Sequence, residues 1–264
     1  MTARPVQELF DLDGRTALVT LGSRGLGLQI AHALGEAGAR VVVSARHSSE
    51  LEAAVDELKS AHVDASWVVA NCAVEEQARQ LVDETLERVG DIDILVNNAG
   101  AAWAEPAEEH SLEGWDKVMD VNVRGYFILA QRVARLSMIP RTSGRIINVS
   151  SVAGLRGNPP EMRTLAYNTS KAAVIGFTQT LAGEWGRYHI NVNAICPGFF
   201  KTKLSTFTIQ SLGEEALVAH SPLGRLGDDE DLKGAVLLFA SDAGKHITGQ
   251  ALAVDGGVSA VLSF

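Results

Sequence analysis

Tyr167 and Lys171 stand four positions apart in the stretch YNTSK. On a helix that spacing puts a phenol and an ammonium on one face. An ammonium beside a phenol favours the phenolate and draws its pKa down from about 10. A tyrosine so placed can act as general acid when a ketone is reduced and as general base when an alcohol is oxidised. The bland alternative is a pair of solvated side chains, which any chain of 264 residues holds several times over. The surrounding elements decide between the two.

Short apolar runs alternate with longer amphipathic ones. TALVT (16–20), RVVVSA (40–45), SWVVA (66–70) and DIDILVNNAG (91–100) read as strands, separated by helices over LGLQIAHALGEAGA, SELEAAVDELKSA and EEQARQLVDETLERVG. The second half adds a long helix near 111–136, a strand at GRIINVSS and a helix through YNTSKAAVIGFTQTLAGEWGRY. It ends with a strand at INVNAICPG, a helix over DDEDLKGAVLLFAS with an acidic first turn, and a last strand at ALAVDGG. The strand runs lack polar alternation, as strands covered on both faces do. Repeated β–α alternation predicts an α/β fold with a doubly wound parallel sheet. No linker or repeat interrupts it, so residues 1–264 read as a single domain. Only 199–227 breaks the rhythm, and irregular chain beyond a strand's carboxyl end suits a substrate loop or lid.

Composition narrows the partners. A net charge of −9 offers no basic field to attract phosphate backbones, which argues against a nucleic-acid partner. Cys72 and Cys196 lack any CxxC or Cys/His spacing, and the seven histidines show no ligand spacing, so no metal is expected. The N-terminus lacks the apolar core of a signal peptide, and GAVLLFA is too short to span a bilayer. A cytoplasmic protein without a membrane partner is expected.

VTLGSRGLG (19–27) joins the first strand to the first helix. Gly22, Gly25 and Gly27, with Ser23, Arg24 and Leu26 between them, would let backbone N–H groups approach a pyrophosphate at a helix N-terminus. An ordinary tight turn is the alternative.

Taken together, these stretches resemble the short-chain dehydrogenase/reductase family. The family loop pattern TGxxxGxG falls beside Thr20, Gly25 and Gly27. NNAG (97–100), VNVRG (121–125), SSVAG (150–154), YNTSK (167–171) and PGFFKT (197–202) follow in family order across nearly the whole chain. The branch resembled most is that of 3-oxoacyl-carrier-protein reductases and gluconate 5-dehydrogenases. The resemblance implies a Rossmann-type sheet of order 3-2-1-4-5-6-7 and an oxidoreductase interconverting a ketone and a secondary alcohol. It implies Asn122, Ser151, Tyr167 and Lys171 as catalytic residues. Ser151 would bond the carbonyl oxygen, with Ser150 the less favoured serine. Asn122 would hold a water that relays protons through Lys171, its alternative role being a helix-kinking amide. Lys171 would also bind the nicotinamide ribose, beside Tyr167.

Family members specific for NAD carry an acid at the end of strand two. Here Ala45 and Arg46 occupy that stretch, no carboxylate stands there to repel a 2′-phosphate, and Arg24 and Arg46 suit one. The expected cofactor is NADP(H), with NAD(H) the less favoured choice. By resemblance, Asn71 and its neighbour Cys72 fall near the adenine, and Asn98, Ala99 and Gly100 run past the adenosine ribose. Pro197, Gly198 and Phe200 would lie along the nicotinamide, with Thr202 on its carboxamide. Leu21 replaces a family glycine and is expected to weaken cofactor binding, with added strain if its φ is positive.

Trp103, Met162, Phe199, Phe200 and Phe207 are candidates for an apolar pocket around a small carbonyl or alcohol substrate. The resemblance further implies a homotetramer, or failing that a dimer, paired through helices near 111–136 and 164–188. Two other readings stand beside the reductase. One is a non-catalytic nucleotide-binding regulatory or scaffold subunit, for which Leu21 argues, and the other is an epimerase or dehydratase.

Overall fold

The apolar runs form one parallel seven-stranded sheet in the computed structural model, which describes residues 3–203 and 205–261, the side chains of Phe207 and Ser211 excepted. A short helix α1 (Val6–Leu9) precedes β1 (Thr16–Thr20), α2 (Gly25–Glu36), β2 (Arg40–Ala45) and α3 (Ser48–Ser60). Next come β3 (Ala65–Val69), α4 (Glu75–Val89) and β4 (Ile94–Asn97). Helices α5 (Leu112–Met119), α6 (Gly125–Val133) and α7 (Ile139–Arg141) run on through two π-helical turns, Asp120–Arg124 and Ala134–Met138. The chain then forms β5 (Gly144–Val149), α8 (Leu165–Trp185), β6 (Ile190–Pro197), α9 (Thr206–Leu212), α10 (Glu214–Ala219), α11 (Lys233–Ala240) and β7 (Ala251–Val254).

The strand order is β3-β2-β1-β4-β5-β6-β7, the order expected from the sequence, and every pair is parallel. Side chains alternate across each strand. Ala17 and Val19 thus join one apolar cluster with Ile30, Leu34 and Phe239, while Leu18 joins another with Leu81, Leu129 and Leu181. Both faces are covered, which is why β1 is buried along its whole length. The edge strands β3 and β7 are only partly buried.

Two expectations change. The last helix begins at Lys233 without an acidic first turn. Asp231 is spent on the preceding turn, where Arg225 grips it at 2.5 and 2.7 Å and the Asp228 N–H donates to it at 2.9 Å. The stretch 199–227, expected as irregular chain, holds two short helices, α9 and α10, separated by Gly213 at φ +83°. Among the described residues no helix is long and apolar enough to cross a membrane, and no cluster of metal-ligating side chains occurs.

Strand order reverses between β1 and β4, which opens a crevice at their carboxyl ends. The glycine loop and the YNTSK helix both meet there.

Candidate active site

Thr20 and Asn98 bind the two sides of that crevice together. Asn98 Nδ2 donates to the carbonyls of Thr20 and Leu21 at 2.9 and 3.2 Å. The N–H groups of Asn98 and Ala99 donate to Thr20 Oγ1 at 2.9 and 3.0 Å. A second tie runs from Asn97 Nδ2 to Asn148 Oδ1 and from Asn148 Nδ2 to Thr178 Oγ1, each at 2.9 Å. NNAG is thus in large part a structural device.

The loop this lock supports admits no side chains at its glycines. Gly25 takes φ +52°, and a Cβ on Gly27 would lie 2.1 Å from the Leu21 carbonyl oxygen and 2.5 Å from Asn98 Nδ2. Gly22 lies against Val43 on β2. Leu21 adopts φ +50°, so the strain foreseen for a leucine here is present. That conformation costs about 1–2 kcal/mol for a residue with a Cβ. Its side chain packs against both apolar clusters and lines the main cavity.

That cavity has a volume of about 1080 Å³. Arg24, Gly25, Leu26, Gly27, Asn98 and Gly100 line it. So do Ser151, Tyr167 and Lys171, and also Pro197, Gly198, Phe200 and Thr202. Of the apolar candidates, Met162 and Phe199 line it, whereas Phe200 is mostly core, its ring packed on Gly227. Trp103 turns away to cover Gly114, with Lys117 Nζ 4.6 Å above its ring. The Phe207 side chain lies outside the described residues.

Gly22, Ser23, Arg46, Asn71, Cys72, Ala99 and Asn122 lie off the cavity wall. Cys72 is buried in one of the apolar clusters, where desolvation pushes its thiol up to about 12. Asn71 Oδ1 accepts from the Ala73 N–H at 3.1 Å within its own turn. Asn122 is fully buried in the first π-helical turn, an insertion often found at functional sites. Its Oδ1 accepts from the Ala101 N–H at 2.8 Å, and its Nδ2 donates to the Ala101 carbonyl and to Ser170 Oγ, both at 2.9 Å. Its side chain thus satisfies both backbone groups of Ala101.

The two serines separate cleanly. Ser150 Oγ donates to the Lys171 carbonyl at 2.7 Å and so secures α8. Ser151 caps the turn Val152–Gly154, accepting from the Ala153 N–H at 3.1 Å, and lines the cavity beside Tyr167. Lys171 is 3% exposed, and its Nζ donates to the Val149 carbonyl at 2.7 Å. It lies 5.7 Å from the Tyr167 ring centroid and 5.6 Å from that of Tyr126. Tyr126 donates to the same carbonyl at 3.1 Å.

These contacts correct the expected electrostatics. Burial raises the Tyr167 phenol above its ordinary value, opposed in part by the neighbouring Ser151 side chain. Burial likewise lowers Lys171 to about 8. The reason is geometric, because the amine is aimed at Val149 and both groups have left water.

A second correction concerns Arg24. Its Nη1 bonds Glu50 Oε1 at 2.5 Å, and Ser23 Oγ reaches Glu50 Oε2 at 3.5 Å. A carboxylate therefore does stand beside the loop arginine, supplied by the first turn of α3 and not by the end of β2. Arg46 is exposed and outside every ion pair found among the described residues. Sequence reasoning missed both Glu50 and Tyr126. Each lies four residues beyond a residue it did single out, Arg46 and Asn122 respectively, which is the one signal that could have found them.

Residues 21–259 match the family model described as Enoyl-(Acyl carrier protein) reductase. The chain is 40% identical over 249 residues to a 3-oxoacyl-[acyl-carrier-protein] reductase of Synechocystis sp., covering 94% of this chain and 98% of that protein. It is 36% identical over 258 residues to a gluconate 5-dehydrogenase of Gluconobacter oxydans, covering 97% and 98%. The crystal structure of a gluconate 5-dehydrogenase from Burkholderia cenocepacia, in complex with NADP and tartrate, superposes with a TM-score of 0.92 at 36% identity, covering 98% of this chain and 100% of that one.

Proposed function

Since this chain belongs to the short-chain dehydrogenase/reductase family and is an oxidoreductase, we propose that it interconverts a ketone and a secondary alcohol using NADP(H), with Tyr167 moving the proton. The observation that carries this reading is the placement of Ser151, Tyr167 and Lys171 on one cavity with the glycine loop. The loop fits the cofactor, because Arg24, Gly25, Leu26 and Gly27 line the cavity at the N-terminus of α2 and the exposed Arg46 offers a guanidinium for a 2′-phosphate. The cofactor of the Burkholderia cenocepacia neighbour supports the same choice.

When bound, NADP(H) supplies the hydride exchanged at the carbonyl carbon. The chain supplies the rest. Ser151 donates a hydrogen bond to the carbonyl oxygen, where negative charge develops during reduction. Tyr167, a phenol and so protonated at neutral pH, gives its proton to that oxygen. Lys171 holds positive charge beside the phenol and positions the nicotinamide ribose. Asn122 fixes the segment after β4 against α8 through Ala101 and Ser170.

The stretch 199–227 acts as the substrate lid, because Thr208 and Leu212 on α9 and Leu217 on α10 line the cavity. Exposed Phe127 on α6 and Leu165 on α8 support pairing of these helices between subunits, and we read the assembly as a homotetramer of a cytoplasmic enzyme. Its partner is a small carbonyl or alcohol.

A kinetic screen of diverse ketones with NADPH and with NADH, reading product chirality, tests the proposal. Turnover of at least one ketone with NADPH is expected. Nucleotide binding without turnover across the panel would favour the scaffold reading.

A further inference from the structure

The carboxylate beside the glycine loop was not foreseen, and its position bears on cofactor choice. Three segments converge there. The Gly22 N–H donates to the Ser44 carbonyl at 3.1 Å, which fixes the loop against the end of β2. Directly after β2, α3 begins, with Glu50 in its first turn, where the helix dipole favours a negative charge. From there Glu50 reaches back to Arg24 at 2.5 Å and to Ser23 at 3.5 Å. The side chains of Arg24 and Glu50 are about one-third exposed, at 36% and 33%. Arg46, two residues before α3, stays exposed.

We propose that Glu50 is a specificity-determining residue that narrows the preference for NADP(H) over NAD(H) by occupying the Arg24 guanidinium in the free protein. The proposal rests on the cofactor site assigned above. A 2′-phosphate that is to use Arg24 has to displace the Glu50 carboxylate and then sit near it. Both charges are negative, so the phosphate loses part of what the arginine offers. A ribose with a free 2′-hydroxyl displaces nothing and can donate to the carboxylate where it stands. Glu50 therefore weakens the phosphorylated cofactor and not the other, and discrimination falls to the exposed Arg46.

The test is calorimetric titration of adenosine 2′,5′-bisphosphate and of adenosine 5′-monophosphate into the wild-type protein and Glu50→Gln. Glutamine keeps the shape and removes the charge. The bisphosphate is expected to bind Glu50→Gln about two- to fivefold more tightly, the range of a partly exposed ion pair and its screening. The monophosphate should bind both proteins equally or bind Glu50→Gln more weakly, and the bisphosphate gain should shrink as salt rises. In an Arg24→Ala background the gain should largely vanish, and a gain that persists there in full overturns the pairing as its cause. Equal or weaker bisphosphate binding by Glu50→Gln, with melting temperature unchanged, overturns the proposal while leaving the cofactor site intact. Failure of both proteins to bind the bisphosphate at all overturns the cofactor assignment, and this proposal with it.

Discussion

The Lys171 ammonium is committed to the Val149 carbonyl at 2.7 Å, not to the phenol four residues before it. Tyr126 donates to the same oxygen at 3.1 Å, so that carbonyl keeps a partner if the lysine is lost. Lys171→Met would then remove a buried charge without orphaning an acceptor. Lys171 is held near 8 in the folded protein against 10.5 ordinarily. Between those values the unfolded chain binds the extra proton, so the charged lysine costs stability below about pH 8, and the cost fades as pH rises to 10.5. Lys171→Met should therefore be more stable at pH 7, by at most about 3 kcal/mol, with the gain shrinking toward pH 10. It should lose at least about a hundredfold in kcat. Thermal melts at the two pH values decide it, and a lower melting temperature at pH 7 would contradict the argument.

Leu21 sets strain against packing. Leu21→Gly would relieve about 1–2 kcal/mol of backbone strain. It would also forfeit part of the roughly 1.5–3 kcal/mol that burying a leucine contributes, and add glycine's chain entropy of about 0.5–1 kcal/mol. These nearly cancel, so urea denaturation should show a change within about 1 kcal/mol, on the losing side. Removal of the isobutyl group from the cavity should tighten NADPH binding about threefold by fluorescence titration. Unchanged affinity would show that the side chain does not obstruct the cofactor.

Asn122→Ala removes three hydrogen bonds at once and leaves the N–H and carbonyl of Ala101 without these partners. A loss of about 2–4 kcal/mol in unfolding free energy is expected, together with lower activity. A variant as stable as the wild type would mean that the π-helical turn holds without its amide.

The fold was legible because the strands are buried on both faces, and unbroken apolar runs such as TALVT have no other place to go. Thr20, Asn98 and the loop glycines were legible for a related reason, since each answers a contact the strand–loop–helix path imposes. Glu50 was not. Its pairing with Arg24 joins residues 26 positions apart and depends on how α3 is rotated against the loop. Tyr126 was hidden because it sits among other apolar residues of the long helix, and only the fold brings its ring to Lys171 and its hydroxyl to the Val149 carbonyl. Trp103 misled because only the packing reveals that Gly114 makes room for its ring. The Tyr167 titration failed for the same kind of reason: spacing predicts a near neighbour, while burial sets the sign.

The central claim is that the Tyr167 hydroxyl delivers the proton to the carbonyl oxygen, and single-turnover reduction by Tyr167→Phe with NADPH tests it most directly. A fall of about 10²- to 10⁴-fold in the chemical step is predicted, with NADPH affinity within about threefold of the wild type. In the wild type, kcat/KM for reduction should also decline above about pH 8 as Lys171 loses its charge. Reduction by Tyr167→Phe at the wild-type rate, with the chemical step observed, would contradict the account.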